Sequence, residues 1–276
     1  MSTDEFVIER RGRIRSGAAL RELWTYRAII VAFAERNIRV KYKQAALGIA
    51  WAVIQPLVFM AIFTLTIGRL AGVSAGGVDY AAFTLSALVP WTFLSTGVSF
   101  GANALITDGA LIRKVYFPRE VPVLGAILAA VVDFLIALIL FIIVGPFLGA
   151  QVSAWWLFAP LLAIPLTVLA AGVSIVFGAL NVYYRDFRYA LPFLLQLWLF
   201  TSPVAYPLSV VPDSWRWLYL VLNPAAGLID AFSRTLALGE SPDGPALAIG
   251  VAGTIAVSFI GYRAFKALEP NFADVI

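Results

Sequence analysis

The sequence predicts an all-α polytopic membrane protein: six transmembrane helices, an N-terminal amphipathic interfacial helix, and a short re-entrant outer hairpin between spans five and six. Three observations predict it. The chain is 61% hydrophobic and 13% charged, with mean hydropathy +0.89, whereas soluble domains hold roughly 45–50% apolar and about 25% charged residues. Its apolar residues fall in runs near the roughly 20 residues an α-helix needs to cross hydrocarbon. With six spans, 17 of the 20 Lys and Arg residues lie inside, all except Arg69, Arg216 and Arg234, and such a bias sets orientation with both termini cytoplasmic.

Composition also excludes. A pI near 9.4 could suggest nucleic acid, but the basic residues border apolar spans, where topology and anionic lipid account for them. No nucleic-acid partner is expected. The chain has no Cys and no His, so disulfides, thiol chemistry, the usual general base and the commonest metal ligand are all missing. No metal site and no catalytic residue is expected.

Residues 1–19 are polar and read as a cytoplasmic tail, basic for too long to lead into a cleavable signal segment. Residues 20–43 mix Leu23, Trp24, Ile30 and Val31 with Arg21, Glu22, Arg27 and Glu35, as an amphipathic helix lying along the inner membrane surface would. The basic group Arg36, Arg39, Lys41 and Lys43 then enters an uncharged run, the first span, at about 45–68. A Gly-rich loop (RLAGVSAGGVD) leads to span two, about 80–101, and 104–115 forms a short inside segment that Pro118 must close. Spans three and four, about 121–145 and 155–180, divide at Gly145-Pro146, with Trp155 and Trp156 where an aromatic belt belongs. Span five, about 189–211, contains Pro192, Pro203 and Pro207, so its outer end is expected to kink or break. In 214–238, Asn223-Pro224 divides an apolar stretch into two pieces each too short to cross, hence the hairpin. Span six is about 246–262, and 267–276 form a cytoplasmic C-terminal tail.

No Gly-x-x-x-x-Gly-Lys-Ser/Thr motif occurs, so the chain does not bind ATP through a P-loop. The only acid deep in a span is Asp133, either a functional intramembrane acid or a hydrogen-bonding contact between helices. A secondary carrier would need more such acids, and a membrane-embedded glycolipid enzyme would need paired acids or His near the surface.

Four stretches carry a resemblance: KYKQAALGIAWAVIQPLVFMAIFTLTIGRL (41–70), LVPWTFLSTGVSFGANALITDGALIRKVYFPREVPVL (88–124), YYRDFRYALPFLLQLWLFTSPVAYPLSVVP (183–212) and LYLVLNPAAGLIDAFSRTLALG (218–239). With the terminal LEPNFADVI, they resemble the permease subunit of ABC-2 type polysaccharide exporters, the family of O-antigen, teichoic-acid, capsule and galactan export. The resemblance implies a homodimer, two copies of a separate ATP-binding subunit that holds ATP and Mg²⁺, and a polyprenyl-diphosphate-linked glycan as cargo. It places a coupling helix on the first inside loop and an outer gate at Asn223 and Pro224. An ABC-2 permease for lipid or drug export is the alternative.

These implied roles select residues with suitable chemistry. Sugar faces stack on aromatic rings, and Trp51, Phe59, Phe63, Phe83, Trp91, Phe93 and Trp198 are the span aromatics available to a channel. A diphosphate needs multidentate cations near the inner surface, for which Arg39, Lys41 and Arg185 abut span ends. Any one of these also fits ordinary helix packing or positive-inside topology. Leu105, Ile112, Arg113, Lys114 and Tyr116 suit a knob that an ATPase groove could hold.

Overall fold

A computed structural model describes residues 16–43, 49–184 and 186–272. Most of the proposed N-terminal tail, the first residues of span one, Arg185 and the last four residues of the C-terminal tail lie outside the described residues. Among the described residues the structure is helical, with no strand. Five helices are long and apolar enough to cross a membrane: Ala50–Leu70, Tyr80–Thr107, Glu120–Leu148, Ala154–Tyr183 and Gly244–Leu268.

Two helices precede them, α1 (Ser16–Thr25) and α2 (Arg27–Lys43). The sequence predicts one helix here. It breaks at Tyr26 without Gly or Pro, and Arg27 Nη1 donates to Trp24 O at 3.0 Å, satisfying a last-turn carbonyl of α1. The first long helix is α3 (Ala50–Phe63), which continues as a π-helical stretch, Thr64–Leu70. It buries little of itself: Trp51, Val58, Ile62 and Leu65 are exposed.

The helix at the centre is α4 (Tyr80–Thr107), about 42 Å long at 1.5 Å per residue. It runs six residues beyond the expected end of span two, because ANALIT contains neither Gly nor Pro and packs on a later helix, where Asn181 Nδ2 donates to Ala102 O at 3.2 Å. After Asp108 comes α5 (Gly109–Lys114), then α6 (Glu120–Val144) with a 3₁₀ turn at Gly145–Leu148. A 3₁₀ turn, Ala154–Phe158, whose Ser153 Oγ accepts from Trp155 N at 3.2 Å, leads into α7 (Ala159–Tyr183). Both α6 and α7 pack along α4.

The fifth expected span differs. Its helix, α8 (Phe187–Phe200), has 14 residues, about 21 Å, against a hydrocarbon core of about 30 Å. Turns follow at 201–207, where Pro203 and Pro207 cannot continue a helix. Only Leu191, Leu195 and Leu199 of α8 are buried, one residue per turn.

The chain then forms α9 (Asp213–Leu222) and α10 (Pro224–Ser233), the latter extended by a π-helical stretch, Arg234–Leu238. Exposed Trp215, Trp217, Val221 and Leu222 mark α9 as a surface helix, whereas every residue of α10 is buried. The last long helix, α11 (Gly244–Leu268), starts on Asp243, whose Oδ1 accepts from Ala246 N at 3.2 Å. Glycine sets how closely it meets α10. A Cβ on Gly227 would lie 2.2 Å from Ala246 O, and one on Gly253 would lie 2.9 Å from the Pro224 ring. The Asn223-Pro224 turn therefore sits about 13 Å along α11 from its start, inside the bundle.

Candidate functional site

The end of the bundle carrying α5 is bound to α2 on both flanks of that short helix. Arg36 pairs with Asp108 at 2.7 Å, and its guanidinium lies 4.7 Å from the Phe33 ring centre. Phe33 meets Phe117 edge-on at 5.7 Å. Arg119 Nη1 donates to Ile112 O at 2.7 Å, closing α5 from its far side.

Farther along, Lys41 Nζ lies 2.5 Å from Asp133 Oδ2, and Tyr42 donates its hydroxyl to Asp133 Oδ1. Burial, and then the bond to Asp133, push the Tyr42 phenol well above its ordinary value, so it stays a donor. The α2 helix thus follows α6 lengthwise instead of lying across its end. Phe33 sits against Gly125, where a Cβ would come 2.5 Å from Phe33 Cβ, and Lys41, eight residues on, sits against Asp133, also eight residues on. A cleft of about 330 Å³ opens between α2, α4 and α6, with Asn37, Lys41, Tyr42, Asn103 and Asp133 in its wall.

Of the cations selected from sequence, Lys41 and Arg39 have different partners. Lys41 is held by Asp133, Arg39 is exposed and pairs with Glu35 at 3.3 Å, and Arg185 lies outside the described residues. Removing one member of a buried pair strands the other. Lys41→Met, which strands the buried Asp133, is expected to cost about 3 kcal/mol. Asp133→Leu should cost less, since Lys41 is 35% exposed and can swing its amine to water. The double variant should recover most of the loss, as read by thermal stability of the detergent-solubilised protein; simple additivity of the two losses would show that the pair is not coupled.

On α5 and its flanks, Leu105 and Ile112 are buried and fix the helix in place. Arg113, Lys114 and Tyr116 are exposed, with Leu111 and Val115 beside them. Behind α5, Lys266 Nζ lies 2.6 Å from Glu120 Oε1 and 2.8 Å from Glu269 Oε2, tying the start of α6 to the end of α11. Burial raises the Glu269 carboxyl, against the opposing effect of Lys266.

A second feature is a groove of about 160 Å³ between α3, α4 and α8, lined by Gln55, Phe59, Trp91, Thr92, Ser95 and Gln196. Three of the selected aromatics meet there: Phe59 and Trp91 in the wall, and Trp198 edge-on to Trp91 at 5.9 Å. Phe63 packs behind Phe59 at 6.0 Å. Phe93 is buried in a stack with Phe134 and Phe232, Phe83 is buried beside Tyr80, and Trp51 is 55% exposed on α3. Trp198 Nε1 donates to Asn223 Oδ1 at 2.9 Å, while Asn223 Nδ2 donates to Thr201 O and Ser202 Oγ, each at 3.0 Å. The groove is thereby joined to the hairpin turn, and Pro224 is buried against α11.

Sequence reasoning passed over Gln55 and Gln196, although uncharged amides amid apolar runs were there to be noticed. It saw Arg36 only as a member of the basic group before span one, and it passed over Tyr42 and Asp108, for which no local signal exists.

Five long apolar helices, with a groove that mixes amides, hydroxyls and aromatic rings, define a multi-pass membrane protein. The chain belongs to the ABC-2 type transporter family, whose profile matches residues 29–236. It is similar to the O-antigen export system permease protein RfbA of Myxococcus xanthus, with 29% identity over 260 residues, covering 93% of this chain and 98% of that protein. The Klebsiella pneumoniae protein of the same name is 25% identical over 90% of this chain and 95% of its own. The polysialic acid transport protein KpsM of Escherichia coli is 22% identical over 85% and 91%.

Proposed function

We propose that this chain is the transmembrane permease subunit of an ATP-driven exporter that moves a polyprenyl-diphosphate-linked polysaccharide out of the cytoplasm across the inner membrane. One observation carries the reading: the end-to-end likeness to O-antigen export permeases over 93% of the chain. The chain works as a homodimer with two copies of a separate ABC ATP-binding subunit. Both termini are cytoplasmic, α8 with the turns after it makes a sixth crossing, and α9 with α10 forms an outer re-entrant hairpin. The sparsely buried faces of α3 and α8 then turn toward the second copy, and the groove of Phe59, Trp91 and Gln196 faces the glycan path. Aromatic rings offer the sugar's CH surfaces a π-face, and the amides exchange hydrogen bonds with its hydroxyls.

In the cycle, closure of the ATP-binding subunits displaces α5. Arg36–Asp108, Phe33–Phe117 and Lys266–Glu120 carry that displacement to α2, α6 and α11. The chain itself performs no covalent chemistry. Affinity purification of the tagged chain from its native membrane in mild detergent tests the reading. A P-loop ATPase is expected at equal copy number, and isolation of the chain alone would overturn the assignment.

A further inference from the structure

At the end opposite α5 lies a separate polar cavity of about 260 Å³, walled by α9, α10 with its π-helical extension, and the loops at 75–76 and 207–209. Its charged residues are engaged, with one exception. Arg234 Nη2 donates to Glu240 Oε2 at 2.8 Å and its Nε to Ser241 O at 3.1 Å. Arg216 pairs with Asp213 at 3.3 Å, and Asp243 caps α11. Asp230 is 7% exposed, and its carboxylate has no hydrogen bond or ion pair among the described residues. Burial pushes that carboxyl up to about 6, with Arg234 and Arg216 opposing and Asp243 reinforcing the rise. Arg216 Nε is buried and has no acceptor among the described residues.

The Asp230 carboxylate and the Arg216 guanidinium both line the cavity, and together they narrow the ligand. A cation would serve Asp230 but meet two guanidiniums, and no group of three acids among the described residues could hold a metal ion. An anion would serve Arg216 and be repelled by Asp230. A hydroxyl both donates and accepts, so a polyol serves both. Phe83 also lines the cavity and supplies the apolar contact that a sugar's CH surface takes.

We propose that this cavity is a saccharide subsite, in which hydroxyls of a neutral sugar donate to the Asp230 carboxylate and accept from Arg216. The inference rests on the glycan-exporter reading and adds a place where cargo is held on the far side of the groove. It is tested by saturation-transfer NMR on the purified permease complex in nanodiscs, with mannotetraose as a neutral probe and tetragalacturonate as an anionic one. Mannotetraose is expected to receive saturation, and Asp230→Asn and Arg216→Gln are each expected to weaken its binding about tenfold. If Asp230→Asn does not accumulate, Arg216→Gln carries the test alone, because its side chain is partly exposed. No transfer to mannotetraose, unchanged transfer in the variants, or preference for tetragalacturonate would each overturn the subsite. Deletion of the gene with no change in surface glycan would overturn the exporter reading instead, so the two failures are told apart.

Discussion

Reversing the charge of α5, by Arg113→Glu together with Lys114→Glu, is expected to lower glycan export on the order of 100-fold while the permease still folds and reaches the membrane. Both side chains are exposed, so their replacement leaves no cavity and buries no new charge. What changes is the face offered to a partner: an acidic patch now opposes whatever received the basic one, and like charges brought together at an interface cost several kcal/mol, with every 1.4 kcal/mol a factor of ten. Leu105 and Ile112, both buried, still hold α5 in place. ATP hydrolysis by the copurified complex should persist without driving export. Full export by this variant would remove α5 from the coupling role.

The second large effect is structural. Gly227→Ala places a methyl 2.2 Å from the Ala246 carbonyl oxygen, and that obstacle is backbone, which cannot rotate aside. The α10 helix has no slack, because it is buried on every face. Overpacking of this kind costs about 3 kcal/mol or more. The variant should accumulate poorly and melt well below the parent by fluorescence-detected size exclusion. Gly244→Ala is the matched control: nothing lies within 4 Å of its new methyl, and its stability should stay within about 0.5 kcal/mol of the parent. Equal behaviour of the two would show that α10 and α11 separate freely.

The long helices were legible because membrane crossing is a one-dimensional property. An uncharged run of sufficient length must be helical, since hydrocarbon offers no partner for backbone groups. The breaks at Asn223-Pro224 and Pro203 were legible for the same local reason, the lost N–H of proline. Contacts between distant parts of the chain were not. Asp133 showed no partner in sequence, and its partners turned out to be Lys41 and Tyr42, 92 and 91 residues away. Facing was equally hidden. A helix apolar all round carries no periodic signal, so Trp91 in the groove wall and Phe93 in the core looked alike two residues apart. Asp230 is a sharper lesson. It stands as a lone acid in AAGLIDAF, with Arg234 four residues on in plain view, but its meaning depended on Arg216 arriving from a different helix, α9.

The burial of α10 also bears on the order in which the protein can be made. Its neighbours are α4, α7 and α11, and α11 is the last long helix to leave the ribosome. When residues 213–238 emerge, one wall of the pocket that receives them has not been synthesised. The wall that α11 gives to α10 is complete only once Gly244–Leu268 is in place. A chain truncated after Leu238 should therefore insert its earlier helices yet leave α10 open to protease.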